Sequence, residues 1–385
     1  MDITICVYVE GKYDFISSFE NGLAVVQNNR KYGYISTDGK LSVGLNYDDA
    51  KPFSEGYGAV CQKGKWGFID TNGEMKIPLQ YEAAMPFSEE MASVKLDGKW
   101  GFIDKTGNAV ILCIYDNACC FSEGLAPVRY KGVLGYIDKS GKTSIQITGN
   151  YVDLSNFYEG MARVCVTKNN NESLFGMINK NGEAVIEPKY KSMNSFREGL
   201  VSAEGMTCDE KFFLDKIGRE IIKLPAYAIL SDFREGLAAV CTGVNHDVPF
   251  PEKEKDIIHR IAAINTVNME PDAKNEMNEL LSELNCLSNE HADKRYADSK
   301  WGFISKEGET VILPEYEYIS WNGYGFFDGK SKMKTGGKMG YINHAGQIIY
   351  PAVFDFAGDF HDGYAVAKKD GKYIVLYSNQ DKTIY

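Results

Sequence analysis

The sequence predicts an all-β repeat protein. About nine units of roughly 34 residues form a β-propeller-like closed array, interrupted by one inserted α-helical hairpin. Three observations carry that prediction. Strings of the "FSEG" type begin at Phe53, Phe87 and Phe121, with a variant "FENG" at Phe19, each 34 residues after the last. Related strings follow at Phe157, Phe196, Phe233 and Phe360. A "WG" signal runs in parallel, with the glycine at Gly33, Gly67, Gly101, Gly135, Gly176, Gly302 and Gly340, preceded by Trp66, Trp100 and Trp301 in the fullest copies. Two further copies are degraded: the one near Phe212 loses the glycine but keeps the frame, and the one near Tyr373 keeps only the apolar pattern. Finally, apolar residues inside a unit alternate with period two, the mark of a strand.

The first strand of a unit follows the Phe string. Ala92 and Val94, Ala126 and Val128, Ala162 and Val164, and Ala238 and Val240 hold one set of slots. The alternate slots vary (Ser93 and Lys95, Pro127 and Arg129), so one constant apolar face and one variable face are expected. The second strand is "WGFID". A glycine inside a strand marks a close backbone approach or a bulge, and here a neighbouring unit is expected to pack against the gap. Asp70, Asp104, Asp138 and Asp215 then open a tight turn through an Asx-type hydrogen bond. A third strand, "EMKIP" or "EAVIEP", carries Pro78, Pro188, Pro225 or Pro314, which should stop its ladder. A Tyr stands six residues before the next Phe at Tyr13, Tyr47, Tyr81, Tyr115, Tyr190 and Tyr227, placing both rings on one face of a fourth segment. Such sheets cannot bury a face alone, so units must stack.

Closure is favoured over an open β-solenoid or superhelix by the two ends. The last unit stops at "DKTIY", residues 381–385, without its fourth segment, and the N-terminus carries an orphan copy around Tyr13 and Phe19. A shared terminal blade would use both pieces, although nine blades exceeds the usual four to eight.

"GKWGFID", its following glycine and "FSEGLA" together resemble the bacterial WG-repeat (KWG-repeat) family across the chain outside 243–299. The resemblance implies a β-rich repeat scaffold assumed to mediate binding. It implies no catalytic residues.

The repeat domain therefore covers 1–242 and 300–385, and 243–299 is the insertion. Ile257, Ile258, Ile261 and Ile264 line one helical face, and Pro271 restarts a second pattern through Met277, Leu280, Leu281, Leu284 and Leu287. The apolar stripe either packs on itself and the sheet edge or serves a partner, for which Ile257, Ile261, Leu280 and Leu284 are the candidates. Sitting within one hairpin, the insertion is expected to be dispensable for folding.

No chemistry announces itself. The five His have no metal-ligand spacing, and there is no HExxH, CxxC, phosphate-binding glycine loop or dinucleotide fingerprint. Cys61, Cys165 and Cys241 share a strand slot, which suits packing better than nucleophilic catalysis. No catalytic, cofactor-binding or metal-binding residue is assigned. The net charge of −11 disfavours nucleic acid, and no run of about 18 apolar residues could span a membrane. Nine scattered Cys and an N-terminus unlike a signal peptide point to the cytoplasm. The expected function is a non-enzymatic, intracellular protein-interaction scaffold. The alternatives are a carbohydrate or cell-wall binder, suggested by Gly-rich aromatic hairpins, and an inhibitory or immunity-type partner of a toxin or defence enzyme.

Overall fold

The structure, a computed structural model, describes residues 5–168, 172–207, 210–224, 228–229, 231–245, 248, 251–263, 271–319 and 324–377. Nine small antiparallel sheets form the blades of a closed β-propeller. Blade 3 shows the plan. From the axis outward it holds Ala83–Ala84, Met91–Leu96, Lys99–Asp104 and Ala109–Tyr115. The two central strands join through Asp97 and Gly98, both at positive φ (50° and 74°), the two-residue hairpin turn that "DG" favours. The next turn is the expected Asx turn: the Asp104 carboxylate accepts the Thr106 and Asn108 N–H groups at 2.9 and 3.0 Å.

Both faces of the second strand are buried, because each blade is sandwiched between two others. Ala92 and Val94 are fully covered, and so is Ser93 on the face expected to vary. The Tyr and Phe six residues apart do share one core: Tyr81 and Phe87 meet Phe68 of blade 2 and Val94 of blade 3 in a single cluster. Phe68 and Phe87 lie 4.9 Å apart between ring centres.

The repeated glycine has a different cause from the one expected. Trp100 pairs with Tyr115 but Phe102 pairs with Ile111, so the outer strand bulges beside Gly101. A Cβ on Gly101 would sit 2.6 Å from the Ile111 carbonyl oxygen and 2.7 Å from the Cys113 nitrogen. The gap is filled by the same blade's outer strand, not by a neighbouring unit. The prolines belong to this bulge too. Pro78, Pro188 and Pro314 lie inside strands that run on to Tyr81, Tyr190 and Glu317, so they do not end the ladder. In blade 6, Phe212 occupies the glycine slot, and there the pairing Phe212–Lys223, Phe213–Ile222 is straight.

The ring closes through a strand shared by both termini. Ile5–Tyr8 pairs antiparallel with Lys372–Tyr377 as the outer strand of blade 9. The expected closure is present, with different pieces. Residues 13–19 instead enter blade 1, where Phe15–Glu20 is the inner strand. Ile16, Phe19 and Val26 of blade 1 pack on Val366 and Val375 of blade 9. The segment 381–385, with Pro225, Tyr227 and Ile264, lies outside the described residues.

The insertion emerges between Ala238–Thr242 and Lys300–Ile304, which pair directly. It carries α1 (Glu252–Ala263) and α2 (Pro271–Tyr296). Lys253–Glu283 (2.7 Å) and Arg260–Glu276 (3.3 Å) link the two helices. Among the described residues no helix is long and apolar enough to cross a membrane.

Candidate functional site

The F-x-E-G turns converge on the axis. Their Phe side chains are buried between blades, and the residue two positions on adopts a left-handed backbone in every blade. Asn21, Glu55, Glu89, Glu123, Glu159, Glu198, Glu235, Asp328 and Asp362 all have φ between 50° and 53°. Non-glycine residues enter this region only when something holds them there. Here the holding contact is an interblade hydrogen bond. Glu89 accepts the Gly124 N–H at 3.1 Å, Glu123 that of Gly160 at 3.0 Å, Glu159 that of Gly199 at 2.9 Å and Glu198 that of Gly236 at 3.0 Å. Glu235 and Asp328 continue the series to Gly329 and Gly363, at 3.0 and 2.8 Å. Asn21 and Glu55 reach the Gly56 and Glu90 N–H groups in the same way. The result is a head-to-tail chain of acceptors running from blade 1 to blade 9.

A cation from the following blade backs most of these carboxylates. Lys139, Lys180, Lys216 and Lys306 stand 3.2, 3.0, 3.4 and 3.0 Å from Glu89, Glu123, Glu159 and Glu198, and Lys105 stands 3.3 Å from Glu55. His344 takes the same place beside Glu235 at 3.0 Å. With roughly a third of each carboxylate side chain exposed, a link of this kind contributes about 1 kcal/mol after solvent screening.

Burial pushes the Glu123 and Glu198 carboxyls up. Their lysines and the glycine N–H groups outweigh it, holding both below the usual carboxylate range. A group with a depressed folded pKa stabilises the fold above its unfolded pKa, and that contribution disappears as pH falls through the folded value. The denaturant midpoint should therefore fall as pH drops below the ordinary glutamate range. Glu123→Gln with Glu198→Gln should be less stable at neutral pH and show a shallower acid slope. Identical acid slopes for wild type and the double variant would contradict this role.

The x position of the turn divides the channel. In blades 2, 3 and 4 it is Ser54, Ser88 and Ser122, whose hydroxyls donate to the carbonyls of Phe87, Phe121 and Phe157 at 2.7, 2.8 and 2.6 Å. From blade 5 onward it is Tyr158, Arg197, Arg234, Phe327 and His361, which border an axial cavity of about 570 Å³. The Arg234 guanidinium lies 4.6 Å from the Phe327 ring centre, and the His361 ring lies 5.2 Å from the same ring. Burial, followed by the charge of Arg197, presses the Arg234 guanidinium below its usual value.

A second surface lies on the rim. The outer strand of blade 3 exposes Val110, Leu112 and Ile114 (47, 69 and 44%). The equivalent slots carry Lys76, Pro78 and Gln80 in blade 2, and Val185, Glu187 and Lys189 in blade 5. Blade 7 exposes Val311 and Leu313 but follows them with Glu315.

The insertion residues singled out by the sequence sit mostly inside the insertion. Ile257 and Leu280 are buried, at 1 and 3% exposure, and Ile261 and Leu284 are half-buried. Leu281 is exposed. The last turn of α2 joins the core of the array: Ala292 and Tyr296 are buried in one cluster with Trp301, Tyr316 and Tyr324. The Tyr296 ring stacks on Tyr318 at 4.7 Å. Trp301, in the same cluster, is fully covered, while Trp66 and Trp100 are half-buried.

Sequence reasoning recorded the F-x-E-G strings but gave their acidic residue no role. It also missed the turn "FFDG", Phe326–Gly329, which takes the same place in blade 8. The available signal was an acidic residue repeated at unit spacing, with a lysine just after most of the turn aspartates.

A model of the WG containing repeat matches residues 9–32, 32–66, 66–100, 100–133, 135–170, 175–204, 301–338 and 339–373. No curated protein matches the chain. Among solved structures it is similar to Kluyveromyces lactis Hsv2, at 13% identity and a TM-score of 0.38, covering 60% of this chain and 94% of that one. It is also similar to the WD40 domain from Toxoplasma gondii coronin, at 9% identity and a TM-score of 0.33, covering 62% and 83%.

Proposed function

The chain belongs to the WG-containing repeat family, and from that premise we propose that it is a non-enzymatic binding module that holds a protein partner on its rim. One observation carries this reading. Blade 3 places exposed apolar side chains at Val110, Leu112 and Ile114, the slots that blades 2 and 5 fill with charge, proline or glutamine at all but Val185. Blade 7 repeats the first two as Val311 and Leu313 but places Glu315 in the third slot, so the unbroken run of three sets blade 3 apart from blades 2, 5 and 7. A contiguous exposed apolar patch suits a protein contact. The partner is expected to present a complementary apolar surface.

The test is affinity capture from the native host with wild type, Leu112→Lys and, at the equivalent slot of blade 7, Leu313→Lys. Leu112 and Leu313 are each 69% exposed, so neither change should disturb the core. A protein recovered with wild type and Leu313→Lys but lost with Leu112→Lys supports the reading. Equal recovery with Leu112→Lys, or no protein recovered with wild type, overturns it.

A further inference from the structure

We propose that the axial cavity between blades 4 and 9 is a binding site for a small organic oxyanion, held by the guanidinium groups of Arg197 and Arg234. The first ground is geometry. The cavity, about 570 Å³, falls within the range of roughly 300–1,000 Å³ that small-molecule sites occupy. It is walled by Tyr158, Phe327 and His361, with the two arginines from adjacent blades entering it at the same slot of their turns.

The second ground is charge. Two guanidinium groups share a cavity that five carboxylates also line, and the carboxylates that act most on Arg234 each accept another donor. Asp232 accepts the Ser202 hydroxyl at 2.5 Å and the Asn194 amide at 3.1 Å. Asp359 is paired with Lys332 at 2.9 Å. Glu198 takes Lys306 and the Gly236 N–H, both at 3.0 Å. Among the described residues no carboxylate lies within ion-pair distance of either guanidinium. The remaining acids that line the cavity, Glu123, Glu159, Glu235 and Asp328, are likewise engaged by glycine N–H groups of the next blade. An arginine pair left without a partner in a concave site presents donors in the planar fork that carboxylate and phosphate accept.

The third ground is rigidity. Arg234 is stacked on Phe327, which His361 flanks in turn, so the guanidinium is placed before a ligand arrives. The opposite side of the ring, where Ser54, Ser88 and Ser122 turn their hydroxyls onto the next blade, offers no such donors. The site therefore belongs to one side of a pseudo-symmetric channel.

The full chain should be titrated calorimetrically with benzoate, succinate and inorganic phosphate, with benzyl alcohol as the neutral counterpart of benzoate. At least one anion should bind saturably at millimolar concentration or better, while benzyl alcohol does not. Succinate or benzoate binding assigns a carboxylate ligand, and phosphate binding alone assigns a phosphorylated one. Arg197→Gln and Arg234→Gln should each weaken binding tenfold or more. Removing one guanidinium relieves the repulsion between the pair, so the empty Arg197→Gln protein should melt no lower than wild type, which shows that lost binding is not lost folding. Failure of all three anions to bind wild type overturns the proposal. Binding unchanged in both arginine variants overturns it equally, by placing the anion elsewhere. Neither result bears on the blade 3 rim, which the Leu112 variant tests alone.

Discussion

Gly101→Val is expected to destabilise the protein by about 3 kcal/mol, at the upper end of overpacking costs, because the new side chain meets backbone and not a movable side chain. The Ile111 oxygen and the Cys113 nitrogen lie 2.6 and 2.7 Å from the position its Cβ would take. Relief would require the bulge beside Trp100 to straighten. Gly135→Val should cost clearly less, about 1 kcal/mol. In blade 4 the pairing Gly135–Gln146, Tyr136–Ile145 has no slip at the glycine, and only the Ile145 oxygen comes close, at 2.7 Å, with the next atom 3.7 Å away. Chemical denaturation of the two variants checks this. Equal losses would mean that the glycine is required for something other than the bulge.

Tyr296→Ala is expected to cost about 3 kcal/mol or more, in the range for emptying an aromatic site in a core. The ring is 4% exposed and stacks on Tyr318, inside the cluster that covers Trp301. Trp301 should become partly hydrated, so its fluorescence should shift to the red in the folded variant. Leu281→Ala, on an exposed part of the same helix, should change stability by no more than about 0.5 kcal/mol. An unshifted spectrum and an unchanged midpoint for Tyr296→Ala would restore the insertion to the dispensable arm that its sequence suggested.

The repeat was legible because the same constraints recur from blade to blade. Phe at the axial turn, Gly at the bulge and Asp at the Asx turn each answer to a local backbone need, and local needs leave residue-type signatures. Which strand presses on Gly101 was not legible, because a bulge depends on the pairing register of two strands that no single string records. Blade 6 makes the point: Phe212 looks like a damaged copy in sequence, yet it is a regular residue opposite an outer strand that slips only beyond Phe213. The insertion left two readings open for a related reason. Helical spacing places Ile257 and Leu280 on apolar faces but does not say that the faces meet each other. Nor does it say that two residues near the end of α2, Ala292 and Tyr296, cross into the array.

The carboxylate links and the arginine pair were hidden differently. Glu123 and Glu198 were visible as repeated letters, but their role is tangential, from one blade to the next, and appears only once the ring is assembled. Arg197 and Arg234 occupy the one variable letter of the motif. A reading tuned to what recurs passes over such a position, and variable positions at a fixed place in a rigid frame are where specificity can be built.

Closure of the ring places every axial residue, so it is the claim to test most directly. Spin labels at Tyr8 and Lys372, introduced by cysteine substitution in a background without reactive thiols, report on the terminal strand pair. Tyr8 pairs with Ile374 in the shared blade. Lys372 lies two residues from Ile374, a diagonal neighbour about 7–8 Å from Tyr8, so strong dipolar broadening of the continuous-wave spectrum is predicted, lost on unfolding. Sharp spectra from the folded protein, identical to the sum of the two single labels, would mean that the ends are apart, the array is open and no axial channel exists.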